Sequence, residues 1–304
     1  LPVFTAAAAA DAGAAGTTTC ASPWPSAKVS FEAKIGYLNL ETKASPFVTV
    51  EIDGQPRRLL LDTGTNLNVL WDTSLSGKAA SGPKRIVQTE VAQTQSTQAS
   101  HRMSDGLHEA FDSLFHWIPP SILADDGLSG ILSPQVTAHE IAGSRRSFAV
   151  LDFDRDCFFV SPAFDIDDTP AYRLARGRGI PNPHRVMATS LGLYDAKIPV
   201  TVDSGAEQSN LLRTLVSALP KVTATTRIAD LWGNVLTNKT YMRRVSFTLN
   251  GIEHRNVLVA EADAVQEGGS TTLGTIGMDI LRNRVVILSS DTREFYLLVP
   301  VRKL

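Results

Sequence analysis

The chain has 304 residues, 43% of them hydrophobic and 20% charged, which is enough apolar material for a substantial core. A formal net charge of -2 gives no basic footprint for nucleic acid, so the pairs Arg57-Arg58 and Arg145-Arg146 read as solvated surface. No apolar run reaches the ~18 residues of a membrane-spanning helix. The two cysteines, Cys20 and Cys157, are too few for a paired-cysteine zinc site and leave two alternatives, one disulfide or two free thiols.

Residues 1–27 form a low-complexity tail or tether, with Ala6 to Ala10, an Ala/Gly/Thr stretch and Pro23-Trp24-Pro25. Small-residue runs of this kind occur near export-signal cleavage sites, so the expected location is exported, periplasmic or secreted. From residue 28 the pattern is strand-like. Phe47 to Ile52 alternates with period two, Asp53-Gly54 is a turn signal, and Leu59-Leu60-Leu61 resumes the apolar run. Arg85 to Met103 reads as a hairpin, Glu109 to Ile118 as a short helix, and Leu128 to Leu132 and Val150 to Phe159 as further strands. Ser161 to Arg185, rich in Pro, Gly and charge, reads as a connection. Beyond it come strands near Thr201, Val245 and Val257, a short helix over Ser209 to Leu219, and Asn250-Gly251 as a second hairpin turn. The chain is therefore expected to be mainly β, with an N-terminal lobe at 28–165 and a C-terminal lobe at 166–304.

The two halves repeat one another. Leu60-Leu61-Asp62-Thr63-Gly64-Thr65 matches Thr201-Val202-Asp203-Ser204-Gly205-Ala206 at an offset of 141 residues. Leu128 to Leu132 then lies over Thr275 to Asp279, setting Gly130 over Gly277 at an offset of 147. Val150 to Phe159 lies over Ile287 to Tyr296 at 137. One such match is chance-level; three in the same order are a duplication.

An apolar strand ending in Asp-Thr-Gly delivers a carboxylate at a tight, buried turn. Two such turns related by a pseudo-twofold axis bring Asp62 and Asp203 face to face. Like charges a few ångströms apart cannot both ionise readily, so the pair holds one proton over a broad pH range. One carboxyl is then a general base for a water and the other a general acid for a carbonyl oxygen.

Asp62-Thr63-Gly64 and Asp203-Ser204-Gly205, each followed by its apolar-apolar-Gly element, resemble the pepsin and retropepsin superfamily of aspartic peptidases. Leu273 to Leu281 is similar to the late motif of bacterial retropepsin-like proteins. The resemblance covers about residues 45–300 and implies a two-lobed, pepsin-like acid-protease fold built by duplication of a retropepsin-like lobe. It implies an aspartic endopeptidase with Asp62 and Asp203 as the catalytic pair, supported by Thr63, Gly64, Thr65, Ser204 and Gly205. Thr63 and Ser204 would cross-link the two turns, and Thr65 would hydrogen-bond the outer oxygen of Asp62. Ala206, its counterpart, cannot donate, which leaves Asp203 with fewer donors and predicts a less acidic pH optimum than pepsin-type enzymes have. The substrate would be a peptide or protein, with no cofactor and no metal, and an intrachain pair removes the need to dimerise, so the expected state is a monomer.

The flaps depart from the family pattern. The lobe-one hairpin carries neither the flap tyrosine of pepsins nor the glycines of retropepsins, and in lobe two Trp232-Gly233 marks a turn that would lie over substrate. Trp71 reads as core. These altered flaps keep a second function open, a catalytically silent relative that binds a peptide or partner in the same cleft. A carboxylate-pair glycosidase does not explain why each acid sits in a repeated turn. His108-Glu109 and His139-Glu140 lack the second His of a zinc-peptidase helix, and Gly177-x-Gly179 lacks the third glycine of a dinucleotide site.

Overall fold

A computed structural model describes residues 20, 24–71, 73–75, 82–88, 93–143, 145–163, 165–168, 172–182, 185–229, 235–263, 266–267 and 270–300. It is mainly β. The first lobe contains β1 (Phe31–Asn39), β2 (Ala44–Ile52), β3 (Gln55–Leu61), β4 (Asn68–Leu70), β5 (Lys84–Gln88), β6 (Gln93–Ser104), β7 (Phe111–Trp117), β8 (Gly130–Leu132), helix α1 (Pro134–Ala142), β9 (Phe148–Asp152) and β10 (Cys157–Ser161). The rest holds β11 (Tyr172–Arg178), β12 (Ala188–Leu193), β13 (Ala196–Val202), β14 (Asn210–Leu212), the one-turn helix α2 (Arg213–Val216), β15 (Lys221–Ala229), β16 (Val235–Leu249) and β17 (Ile252–Ala262). It ends with the short ribbon β18 (Gln266–Glu267) and β19 (Ser270–Thr271), then β20 (Gly274–Ile276), α3 (Met278–Leu281), β21 (Val285–Ser289) and β22 (Glu294–Pro300).

Each lobe repeats one topology. In the first the order is β2-β3-β8-β4-β7-β6-β5, with β2 also paired to β6; in the second it is β12-β13-β20-β14-β17-β16-β15, with β12 also paired to β16. β3 runs parallel to β8 and β13 parallel to β20, so each Asp-bearing strand lies beside the strand leading to the late helix. The β2–β3 and β16–β17 turns, Asp53-Gly54 and Asn250-Gly251, both place two consecutive residues at positive φ, which suits the right-handed twist of a two-residue hairpin.

The register corrects the sequence alignment. The Asp62 amide donates to Leu132 O and the Asp203 amide to Ile276 O, both at 3.0 Å, so Leu132 corresponds to Ile276. Gly130 therefore corresponds to Gly274, and Gly277 to Ser133. A Cβ on Gly130 would lie 2.0 Å from Val69 O, and one on Gly274 would lie 2.6 Å from Asn210 O, at matching places in the two lobes. Two helix expectations also change. Glu109 to Ile118 is strand β7, because Ser113, Phe115 and Trp117 alternate inward. Ser209 to Leu219 is β14 followed by a single helical turn. The helix that the periodicity missed, α1, begins with Pro at its first turn and ends at Gly143, both ordinary helix-boundary residues.

The lobes are joined by a six-stranded sheet, β11-β22-β21-β9-β10-β1, whose central pair, β9 and β21, comes one strand from each lobe. Val150 pairs with Ile287, residues that the repeat also sets over one another, so the pseudo-twofold axis passes between them. Strand β11 lies within the segment that composition marks as a connection; its Arg- and Gly-rich sequence hides the strand. One face of this sheet, including Leu151, Phe158, Val286 and Leu297, packs into the main core. The other face, including Val150, Phe159, Ile287 and Leu298, is covered by the end of the N-terminal segment. There Trp24, 1% exposed, lies between Phe159 and Tyr172, with ring centroids at 5.9 and 6.3 Å. Cys20 is disulfide-bonded to Cys157 on β10, which decides between the two cysteine alternatives. No described helix is long and apolar enough to cross a membrane.

The disulfide closes a loop spanning 137 positions, a size at which a native cross-link contributes about 2–5 kcal/mol. A dithiol reductant is therefore expected to lower the thermal midpoint of the wild-type protein and to leave a Cys20→Ser/Cys157→Ser variant unchanged.

Candidate active site

The Asp turns meet where β3 and β13 end. Both follow the buried ends of strands: Leu59, Leu60 and Leu61 before Asp62, and Val200 and Val202 before Asp203. Glycine is required next because the turns nearly touch. A Cβ on Gly64 would lie 2.6 Å from Asp203 Cγ, and one on Gly205 would lie 2.9 Å from Asp62 Cγ. Each glycine makes room for the other lobe's carboxyl.

Thr63 and Ser204 lock the turns reciprocally. Thr63 Oγ1 donates to Val202 O at 2.6 Å and accepts the Ser204 N–H at 3.0 Å. Ser204 Oγ donates to Leu61 O at 2.6 Å and accepts the Thr63 N–H at 3.1 Å. Both hydroxyl residues are fully buried, so the four backbone groups have no water to fall back on.

Asp62 is buried and Asp203 retains part of its exposure. Gly64 N–H donates to Asp62 Oδ1 at 2.7 Å; Gly205 and Ala206 N–H donate to Asp203 Oδ1 at 2.7 and 3.1 Å. Burial and then the neighbouring Asp203 charge push the Asp62 carboxyl well above the usual carboxylate range. Asp203 is raised by burial but held back by its hydrogen bond from Asp62 and by the Gly205 and Ala206 amides. Both carboxyls are thus raised, Asp62 the more strongly, and the pair favours holding one proton between them. This reverses the expected asymmetry. Ala206 lacks a hydroxyl but offers its amide, while the hydrogen bond expected from Thr65 to Asp62 is not formed. Thr65 Oγ1 instead accepts the Leu67 N–H within its own turn, at 3.4 Å.

Behind each turn stands a second set of polar residues that the motifs did not reveal. Asn68 accepts the Ser133 N–H at 2.9 Å, and its lobe-two counterpart Ser209 accepts the Gly277 N–H at 3.0 Å. Each also engages a half-buried carboxyl. Asn68 Nδ2 and Ser113 Oγ donate to Glu140 Oε2 at 3.2 and 2.7 Å, and Ser209 Oγ donates to Asp279 Oδ1 at 2.6 Å. The signal was available in the 141-residue offset, which puts Asn68 over Ser209. Burial pushes Glu140 up to about 7, opposed by the Leu114 amide and Ser113 hydroxyl.

Of the flap residues, the β5–β6 hairpin pairs Gln88 with Gln93, and residues 89–92 lie outside the described set; Trp232 and Gly233 lie outside it as well. Trp71 is core, its indole N–H donating to Leu128 O at 2.6 Å. Between the lobe-one hairpin and the end of β7 is a pocket of about 310 Å³, with Trp117 and Ile118 on one wall and Gln95 and Thr97 on the other. Among the described residues no group of His, Cys, Asp and Glu could hold a metal ion.

Thr63→Val keeps the shape but deletes the hydroxyl, leaving Val202 O and the Ser204 N–H without it. A loss of about 2–4 kcal/mol in unfolding free energy is expected from denaturant titration. For Glu140, the folded chain keeps a proton that the unfolded chain releases between its ordinary 4.5 and about 7. Stability from this group is present below 4.5 and lost as pH rises through 7. The fall of the thermal midpoint across that window should be shallower in Glu140→Gln.

No family profile matches the sequence, and no curated protein matches it. The fold matches that of solved structures. The aspartic proteinase from Irpex lacteus superposes with a TM-score of 0.56 at 13% identity, over 88% of this chain and 97% of that one. The chain has the two-lobed fold of the pepsin-like aspartic proteinases.

Proposed function

We propose that the protein is an aspartic endopeptidase of the pepsin-like superfamily, with Asp62 and Asp203 as its catalytic pair. The observation that carries this reading is the pair itself: two carboxyls, one from each lobe, meet over interlocked Asp-Thr/Ser-Gly turns, and burial raises both. A peptide lying in the inter-lobe cleft would present its carbonyl to that pair. Asp203, as the carboxylate, takes a proton from a water whose oxygen attacks the carbonyl carbon, while Asp62 gives its proton to the carbonyl oxygen. The tetrahedral diol then collapses: Asp203 passes the water's proton to the amide nitrogen, Asp62 takes a proton from a diol hydroxyl, and the C–N bond breaks. No covalent enzyme intermediate is needed. Because burial rather than a missing hydroxyl raises both carboxyls, the less acidic pH optimum remains the expectation.

The disulfide supports an exported protein, since such bonds persist in oxidising compartments. The lobe boundary is proposed to fall between β10 and β11, close to residue 165, and a monomer suffices because both carboxyls belong to one chain.

Asp62→Asn and Asp203→Asn are each expected to lower kcat/KM on an unstructured protein substrate by ~10²–10⁴-fold. A wild-type protein that is folded yet inert from about pH 3 to 7, and that does not bind a statine-type transition-state mimic, would overturn the peptidase reading.

A further inference from the structure

The two lobes tie the Asp turn to the late helix in different ways. In lobe two the backbone suffices: the Met278 amide donates to Ala206 O at 2.8 Å and the Asp279 amide to Glu207 O at 3.1 Å. In lobe one the residue equivalent to Met278 is Pro134, which has no N–H to give. The carbonyl of Thr65, equivalent to Ala206, is reached by side chains instead. Ser133 Oγ donates to it at 2.8 Å and Gln135 Nε2 at 2.7 Å.

Gln135 does more than fill the gap. Its Nε2 also donates to Thr63 O at 3.0 Å, so its two amide hydrogens hold the carbonyls on either side of Gly64. A third acceptor, Arg185 O just before lobe two's β12, lies at a marginal 3.5 Å. The side chain is 1% exposed, and its Oε1 has no partner among the described residues. A glutamine that leaves its own oxygen unsatisfied is kept for its nitrogen.

The Thr63 carbonyl and the Gly64 N–H belong to one rigid trans peptide unit and point in opposite directions. Gln135 grips one end of that unit, and the other end donates to Asp62 Oδ1 at 2.7 Å. We propose that Gln135 is a positioning residue for Asp62, orienting and polarising the Thr63–Gly64 peptide so that its N–H is aimed at the carboxyl. The hydrogen bonds form a chain from amide to peptide to carboxyl, in which each bond strengthens the next. The titratable and charged groups around this chain are Asp62 and Asp203 in the turns, His139 one helical turn further along α1, and Arg185 at the start of lobe two; burial and then Arg185 lower the His139 pKa. The kinetic consequence rests on the peptidase reading. The effect on the titration of Asp62 does not.

The test uses the full chain as wild type, Gln135→Met and Gln135→Glu, with thermal unfolding to confirm folding. Carboxyl-carbon NMR follows the Asp62/Asp203 titration, and kcat and KM are measured against pH. Met matches the shape without a donor. It should raise the upper apparent pKa of the pair, the step in which Asp62 ionises, by roughly half a unit, because the charged form of Asp62 loses support, and lower kcat about tenfold with KM little changed. Glu should be as impaired at neutral pH, where a carboxylate faces two carbonyls. It should recover towards wild type as pH falls and the protonated acid donates again; Met should not recover. A folded Gln135→Met variant with wild-type titration and kcat would overturn the proposal. So would losses that track the thermal midpoint in both variants with no change in titration. If the wild type shows no turnover, the peptidase reading fails, and the NMR titration alone decides the role of Gln135.

Discussion

Two carboxyl groups are brought together at a buried junction, and the rest of the molecule is arranged to keep them there. Burial raises both carboxyls and makes ionisation of the two together costly. An arrangement of this kind tolerates little movement, because a small separation would admit water and let each acid titrate alone. The reciprocal hydroxyl lock of Thr63 and Ser204 sets the separation, and Gly64 and Gly205 permit it. The inter-lobe sheet then fixes the angle at which the lobes approach.

The pseudo-symmetry is accurate in topology and loose in chemistry. Strand order and the carbonyl acceptors of Leu132 and Ile276 are the same in both halves. Behind the strands, the same tasks are given to different groups. Asn68 does the work of Ser209, a half-buried Glu140 answers Asp279, and side chains replace the backbone donor that Pro134 removes. Such differences leave the two carboxyls chemically distinct. The Ala206 amide reaches Asp203 while the Thr65 hydroxyl stays within its own turn, so the two carboxyls are held by different donors.

Much of this was legible in the sequence, and the parts that were not have physical reasons. The Asp turns, the duplication and the mainly β character follow from short motifs whose residue types are dictated by close approach and burial. Strand β7 was read as a helix because Phe111, Leu114, Phe115 and Ile118 also satisfy a helical spacing; only the pairing with β4 and β6 selects the strand. Gly130 and Gly277 align in the sequence as like residues, whereas the register sets Gly130 over Gly274. The role of Gln135 is not legible there because it depends on the N–H that Pro134 lacks, and no motif includes Pro134. Cys20 and Trp24 lay inside a segment whose composition suggested a tether, and composition is silent on where a tether ends.

The outer face of the inter-lobe sheet has a consequence for how the chain is made. Its covering, Cys20 and Trp24, lies N-terminal to every strand it covers, and those strands extend to Leu298. The segment cannot reach its final place until the residues up to Leu298 have been made. During that interval Val150, Phe159 and their neighbours present an apolar surface with nothing yet to close it. The bond between Cys20 and Cys157 then makes the closure permanent in an oxidising compartment, so residues made before the sheet are the ones that seal it.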